Sequence, residues 1–169
     1  VERIVLSTQD LSEAVAGQSV TVTFADEIDC SRGDVIAAAD TPALIGDSFD
    51  ATLVWMSDEA MATGRSYLMK CATRTVGATV NAVEHRVNVN TLERSPATAL
   101  GLNEIGRVSL LTDRLLAFDA YESVRDTGSF ILIDRLSNNT VGAGLLHGAR
   151  SKPRDLGWTQ LGTSRAARA

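Results

Sequence analysis

Two clusters of carboxylates are the residues of this chain whose types and spacing could do chemistry. One lies at Asp26–Asp29 and the other at Asp58-Glu59. Neighbouring carboxylates can hold Mg²⁺ or act as an acid and base pair, so a hydrolytic metal centre of Asp26, Glu27 and Asp29 is one hypothesis. Both clusters follow strand-like segments as turns do, and no third ligand has a suitable spacing. The sequence favours solvated turns, and we predict no catalytic, cofactor-binding or metal-binding residue.

Gly142, Gly144 and Gly148 resemble a dinucleotide-binding loop only faintly. Their spacing differs from that fingerprint, and they lie inside a strand pattern rather than between a strand and a helix. We interpret them as strand glycines at a place where another backbone approaches closely or the sheet bends. The sequence also lacks a GxxxxGK[ST] phosphate loop and a GxSxG nucleophile elbow.

The two cysteines and two histidines show no ligand or catalytic spacing. Cys30 and Cys71 are far apart, without a CxxC motif or a nearby histidine. This pattern favours two small, partly buried thiols in a reducing cytosol, and a disulfide between them remains an alternative. His85 and His147 lie on strand-like stretches. We expect each to be a structural or surface histidine rather than a catalytic base.

Composition indicates a folded, soluble and incomplete chain. The 169 residues are 44% hydrophobic and 22% charged, which is typical of a globular protein and argues against disorder. The apolar runs are too short for a membrane span, and no secretion signal is present. We therefore expect a cytoplasmic protein without a membrane partner. The chain starts at Val1 with strand-like sequence, which suggests a piece of something longer.

Charge is distributed unevenly along the chain. Residues 1–149 carry 11 basic and 20 acidic side chains, a net charge of −9, whereas residues 150–169 carry five basic and one acidic, a net of +4. An acidic body repels phosphate backbones, so we expect no nucleic-acid partner. The small, basic residues after position 149 favour a solvated linker.

The elements that must position these residues are strands. Val20, Val22 and Phe24 alternate with polar residues, as do Phe49 and Leu53, which is the period of a half-buried strand. Many short strands separated by turns favour a barrel or sandwich. Single helical turns are conceivable at 57–62 and 103–104, and 110–117 is apolar enough for a helix. Predicted strands are 19–24, 48–56, 66–71, 74–83, 85–90, 106–112, 129–134 and 140–146.

A boundary is predicted within the small-residue segment 37–47, which contains Pro42. The preceding strands are too few to close a barrel alone. We therefore expect three regions: 1–40 as the C-terminal part of one β-barrel, 45–149 as a complete small barrel, and 150–169 as a basic linker or tail.

Several short motifs resemble one family, in the order in which that family has them. Segments 13–24 (EAVAGQSVTVTF), 26–29 (DEID) and 31–36 (SRGDVI) resemble the closing strands of the second domain of translational GTPases such as elongation factor Tu. The last two are most similar to the large GTPase subunit of bacterial sulfate adenylyltransferase. Segments that resemble its third domain are 49–56, 88–92, 102–108 and 128–134, and 140–145 (TVGAGL) resembles the final barrel strand of the superfamily.

The resemblance covers about residues 1–149 and implies an all-β fold. It is a small antiparallel β-barrel like domain III of elongation factor Tu, preceded by the last strands of a second β-barrel. For the full protein the resemblance implies GTP-dependent conversion of ATP and sulfate to adenylylsulfate. GTP and Mg²⁺ would bind a preceding GTPase domain whose motifs are absent here, so no cofactor is implied in this chain. A separate small subunit would perform adenylyl transfer.

Three functions remain as hypotheses, and the first is favoured. It is an interaction and coupling module whose partners are its own GTPase domain, the small adenylyltransferase subunit and, in the bifunctional form, a C-terminal adenylylsulfate kinase. The second is an autonomous metal enzyme, and the third is a translation-factor-like barrel that binds RNA or protein. The candidate contact surfaces of the first are turns 26–34 and 58–65, for which simple solvation is the plainer interpretation.

Overall fold

The secondary structure of the chain is almost all β. The computed structural model describes residues 1–150, which fall into two compact units, Val1–Ser31 and a second that begins at Arg32. The predicted basic linker, 150–169, lies outside the described residues except for Arg150. Within the described range, no helix is long and apolar enough to span a membrane.

The first unit is a three-stranded antiparallel sheet. Its strands are β1 (Arg3–Leu6), β2 (Gln9–Leu11) and β3 (Thr21–Thr23), in the order β2-β1-β3. The predicted strand 19–24 is thus paired only at its centre, although Val20, Val22 and Phe24 are half-buried as the alternation requires.

The second unit contains a closed antiparallel barrel of six strands, which confirms the predicted small antiparallel β-barrel. Around the barrel the order is β5-β9-β10-β4-β8-β6, and β6 pairs with β5 to close the ring. The short strand β7 pairs with β6 outside this ring. The elements are β4 (Leu44–Trp55), β5 (Ser66–Cys71), β6 (Arg74–Val87), β7 (Arg94–Ser95), β8 (Ile105–Phe118), α1 (Arg125–Gly128), β9 (Ser129–Ile133) and β10 (Thr140–Ala149).

Several element predictions need correction. The predicted strands 74–83 and 85–90 are mainly one strand, β6, whose pairing with β8 shifts register at Asn81 and Glu84. The segment 110–117 belongs to strand β8 rather than to a helix. Residues 57–62 and 103–104 form bends and turns. In the described part of the chain the one helix is α1, which lies outside all three segments considered for helix from the sequence.

The core fills the inside of the barrel with side chains that alternate along the strands. Phe49 and Phe118 meet edge to face with ring centroids 4.9 Å apart, and Trp55 and Tyr67 do so at 5.7 Å. Such pairs stabilise a core beyond the area that they bury. The largest fully buried side chains are Trp55, Tyr67, Phe49, Phe118, Leu53, Met61, Met69, Leu100, Leu110, Leu116, Leu132 and Leu146.

The two thiols differ in exposure. Cys30 is exposed, so the prediction that both are partly buried is wrong for it, whereas Cys71 is buried and donates to the carbonyl oxygen of Thr127 at 3.3 Å. Both cysteines are free, so the structure does not contain the alternative disulfide between them. Burial raises the pKa of Cys71 to about 11, which leaves little of the reactive thiolate near neutral pH.

We expect one thiol of the native chain to react rapidly with a disulfide reagent at pH 8 and the other to react only after unfolding. Exposure of Cys30 and the raised pKa of Cys71 are the physical reasons. The measurement is the rate at which the reagent's own thiol is released, in the native protein and in denaturant. Cys30→Ser should abolish the rapid phase, and a persistent rapid phase in that variant would contradict the burial of Cys71.

Candidate interaction surfaces of the barrel

The predicted contact turn 58–65 follows β4 at one end of the barrel and is anchored to the core. The indole N–H of Trp55 donates to the carbonyl oxygen of Glu59 at 2.6 Å. The buried Met61 donates its backbone N–H to the carbonyl oxygen of Leu100 at 2.8 Å. These contacts fix the turn at both its start and its middle. We call residues 56–65, with the facing turn 134–139, the acidic corner.

Arg65 is the central charge of the acidic corner. Its guanidinium pairs with the buried carboxylate of Asp134, and its Nη1 atom lies 3.5 Å from a carboxylate oxygen of Glu59. Its Cζ atom lies over the Tyr67 ring, 5.7 Å from the ring centroid. The backbone N–H groups of Ser137 and Leu136 also donate to Asp134, at 2.9 and 3.0 Å. These hydrogen bonds, aided by Arg65, hold the pKa of Asp134 below its usual range. The corner is therefore a charged framework whose geometry is fixed.

The outer surface of the acidic corner combines acidic and apolar groups. Asp58 and Glu59 are exposed, and the side chain of Glu59 is 81% accessible. Met56 and Leu136 are exposed beside them, at 50% and 88%. Apolar side chains with a charged rim are typical of protein contact surfaces. The arrangement fits contact with a protein better than it fits bond-making chemistry.

The other predicted contact turn, 26–34, spans the point where the two units divide. Asp26, Glu27 and Asp29 are exposed in the first unit, whereas Asp34 belongs to the second and lies 3.8 Å from Arg74. Among residues 1–150, no group of three or more His, Cys, Asp or Glu side chains is arranged to hold a metal ion. The structure therefore does not assemble the three carboxylates as the metal hypothesis requires.

A second surface lies on the outer face of the barrel and was not predicted. Strand pairing sets Thr52 of β4 beside Arg107 of β8, and Arg107 beside His85 of β6. Their neighbours Leu53 and Val108 are buried in the core, so alternation turns this row outward. We call the groove over this row the basic groove. Its lining residues are Thr52, Glu84, His85, Val87, Leu92, Arg94 and Arg107.

A bulge in β10 adds His147 to the edge of the basic groove. The pairing of β10 with β4 shifts between Leu146 and Gly148, and a bulge of this kind redirects the extra side chain. The Nε2 atom of His147 lies 2.8 Å from the Thr52 hydroxyl, and its Nδ1 lies 3.9 Å from Glu122. Burial, and then the charge of Arg107, lower the pKa of His147. The imidazole is therefore biased towards its neutral form.

Only some of the charged side chains around the basic groove have an ion-pair partner. Arg150 pairs with both Asp50 and Glu84, so two nearby carboxylates share one positive charge. Within residues 1–150, neither Arg94 nor Arg107 has an ion pair or a side-chain hydrogen bond. The groove is thus a local positive region on a body whose net charge is negative.

The comparison with protein families decides where the chain belongs. Residues 48–147, which include both surfaces, match the family described as GTP-eEF1A C-terminal domain-like. The chain belongs to this family. The match covers the barrel almost strand for strand, from within β4 to His147 of β10.

Curated relatives of the chain are similar to it over most or all of its length. The chain is 45% identical to the bifunctional enzyme NodQ of Azospirillum brasilense and 47% to the bifunctional enzyme CysN/CysC of Xylella fastidiosa, each over all 169 residues. It is 48% identical to sulfate adenylyltransferase subunit 1 of Tolumonas auensis over 86% of its length. These relatives confirm the predicted resemblance. The chain spans only 27% to 31% of their lengths.

A solved structure confirms the GTP-eEF1A C-terminal domain-like fold. Sup35 complexed with GMPPNP superposes with a TM-score of 0.76 over 88% of this chain and 37% of its own. The sequences are 20% identical, so the likeness concerns the fold. The predicted barrel of the elongation-factor-Tu type is therefore correct.

Proposed function

We propose that this chain is the accessory β-barrel region of a GTP-dependent sulfate adenylyltransferase large subunit. In this role it acts as an interaction and coupling module without a catalytic site of its own. The observation that carries the proposal is the identity of 45% to 47% over the whole chain with bifunctional relatives. We infer that residues 1–40 are the end of one β-barrel, 45–149 a complete barrel and 150–169 a basic linker or tail. We also infer that the protein is cytoplasmic, and that GTP and Mg²⁺ bind a GTPase domain outside this chain.

The acidic corner supports a coupling role because its surface is rigid. The hydrogen bond from Trp55 joins the turn to the core, and Arg65 forms an ion pair with Asp134. The corner should therefore move with the barrel as one body. A rigid body that changes its docking with nucleotide state passes that state to a partner without chemistry of its own. The exposed Asp58 and Glu59 suit a basic surface on the GTPase domain or on the small adenylyltransferase subunit.

Reversing charge at the acidic corner tests this role in the full-length subunit assembled with its small subunit. We expect Asp58→Lys with Glu59→Lys to reduce GTP stimulation of adenylylsulfate formation by about fivefold, the low end of usual allosteric coupling. The lost attraction to a basic partner surface is the physical reason. GTP should still bind to the variant, which calorimetry can check, because the substitutions leave the GTPase domain itself unchanged.

A matched variant controls for net charge. Asp40→Lys with Asp126→Lys makes the same charge change at exposed positions outside the acidic corner, and it should keep normal stimulation. If the two variants lose stimulation equally, or the corner variant loses none, this assignment of the coupling surface is wrong. If the assembled subunits form no adenylylsulfate at all before mutation, the sulfate-activating function itself is wrong.

A further inference from the structure

We propose that the basic groove binds a tetrahedral oxyanion, the phosphate or sulfate group of a small molecule. The row Thr52–Arg107–His85 forms its floor, and Arg94 of β7 lies on the far side of β6 from Arg107. Guanidinium, imidazole and hydroxyl donors from four strands thus line one groove. This donor set is the one that proteins use for phosphate and sulfate groups. The inference is independent of the acidic corner.

Arg107 is the strongest argument for an anionic ligand. The residue is half-buried, yet its guanidinium has no anionic partner among residues 1–150. Partly removing a charge from water without a partner costs free energy, and proteins usually supply a counter-charge. A bound oxyanion would supply that charge. Arg94 is likewise unpaired within this range, so the groove presents two guanidinium groups to its contents.

The nearby carboxylates offset only part of the positive charge of the groove. Glu84 lines the groove, and Arg150 shares its one charge between Glu84 and Asp50. The third acid, Glu122, is mostly exposed and lies 3.9 Å from Nδ1 of His147. Neither Asp50 nor Glu122 lines the groove, so the lining carries two arginines against one glutamate.

A hydroxyl group is available beside the guanidinium. The Thr52 hydroxyl oxygen lies 2.8 Å from Nε2 of His147. Because a hydroxyl has one proton, Thr52 can donate to a ligand when Nε2 of His147 is protonated and donates to the Thr52 oxygen.

The size and walls of the groove favour a small ligand over a polymer. Its volume is about 560 Å³, which is within the range of small-molecule sites. Val87 and Leu92 form an apolar wall beside the charged floor. Such a site accommodates an oxyanion attached to a compact apolar group. The net charge of −9 over residues 1–149 disfavours a nucleic acid as the source of the phosphate.

Titration by NMR of the labelled 169-residue chain tests the proposal. We expect inorganic phosphate and inorganic sulfate, at constant ionic strength, to give saturable shifts at the amides of Thr52 and Arg107 and at the rings of His85 and His147. Phenyl phosphate should give the same pattern, and uncharged benzyl alcohol should not. Tighter binding of phenyl phosphate would identify a phosphate ester as the ligand, and equal binding would identify the free anion. Both outcomes support the site.

Arginine variants separate a built site from general attraction. Arg107→Gln should weaken phosphate binding by about tenfold or more, since charge-assisted hydrogen bonds are the strong ones. Arg114→Gln, an exposed position on the same strand outside the groove, should leave affinity unchanged. Equal loss in both variants, or shifts that never saturate, would overturn the proposal. So would binding of a hexaglutamate peptide in the groove without saturable binding of phosphate.

Discussion

Replacing Gly144 by alanine is expected to lower the free energy of unfolding by about 2–3 kcal/mol, the upper part of the usual cost of overpacking a core. A Cβ atom at this position would lie 2.3 Å from Cζ of Phe130 and 2.8 Å from the carbonyl oxygen of Thr52. The Phe130 ring is 4% exposed and packed in the core, and Thr52 belongs to the strand paired with β10. Neither atom can retreat without disturbing the barrel.

Gly148 provides the control on the same strand. A Cβ atom there would meet nothing within 4 Å, so Gly148→Ala should change stability by less than about 0.5 kcal/mol. Both variants are compared by urea unfolding followed by circular dichroism. Phe130→Leu should recover part of the loss in Gly144→Ala, because the two positions share one space. Equal losses at Gly144 and Gly148 would show that general strand propensity, not close approach, governs the position.

The same glycine shows what the sequence could and could not predict. Its place inside a strand pattern sufficed to reject a nucleotide loop and to predict either a close backbone approach or a bend of the sheet. The Thr52 carbonyl oxygen, 2.8 Å from where a Cβ atom would lie, confirms the close approach. The Phe130 ring that fills the space of the missing side chain could not be predicted. It comes from β9, and only the pairing of Gly144 with Phe130 brings them together.

Bulges explain where the strand predictions failed. Alternation predicts a strand only while its phase is constant, and a bulge inserts a residue and inverts the phase. Glu84 is such a residue in β6, which is why the sequence suggested a break there. In β8 the pairing with β4 passes from Leu111 to Leu116 across one shift. The leucine pairs on either side of this shift, at 110–111 and 115–116, therefore made the segment look helical although the strand continues.

The two surfaces differ in how far they could be predicted. The turn 58–65 is a local feature, so its acidic and turn-forming residues were enough to select it. Its ion pair with Asp134 joins residues 69 positions apart and was not predictable. The basic groove depends wholly on strand order and register, since Thr52 and His147 are 95 positions apart. The one sequence signal for this groove was the alternation in β4, which turns Thr52 outward while Leu53 is buried.

Trp55 joins the core of the barrel to the acidic corner. The ring is 2% exposed and meets Tyr67 edge to face, so it contributes a large share of the packing at this end. Its N–H bond to the carbonyl oxygen of Glu59 also holds the turn that follows β4. One side chain therefore determines both the stability of the barrel and the position of the exposed carboxylates.

Trp55→Ala should lower the free energy of unfolding by about 3–5 kcal/mol, the usual cost of removing a buried aromatic ring. Trp55→Phe keeps a ring and loses the N–H donor, so a smaller loss of about 1 kcal/mol is expected. In that variant hydrogen exchange should accelerate at the amide of Met61, which lies in the same turn as Glu59 and donates to the carbonyl oxygen of Leu100. Exchange should not accelerate at the amide of Val108 in the core of β8. Unchanged exchange at Met61 would mean that the turn is held without Trp55, and the acidic corner would lose its proposed rigid link to the core.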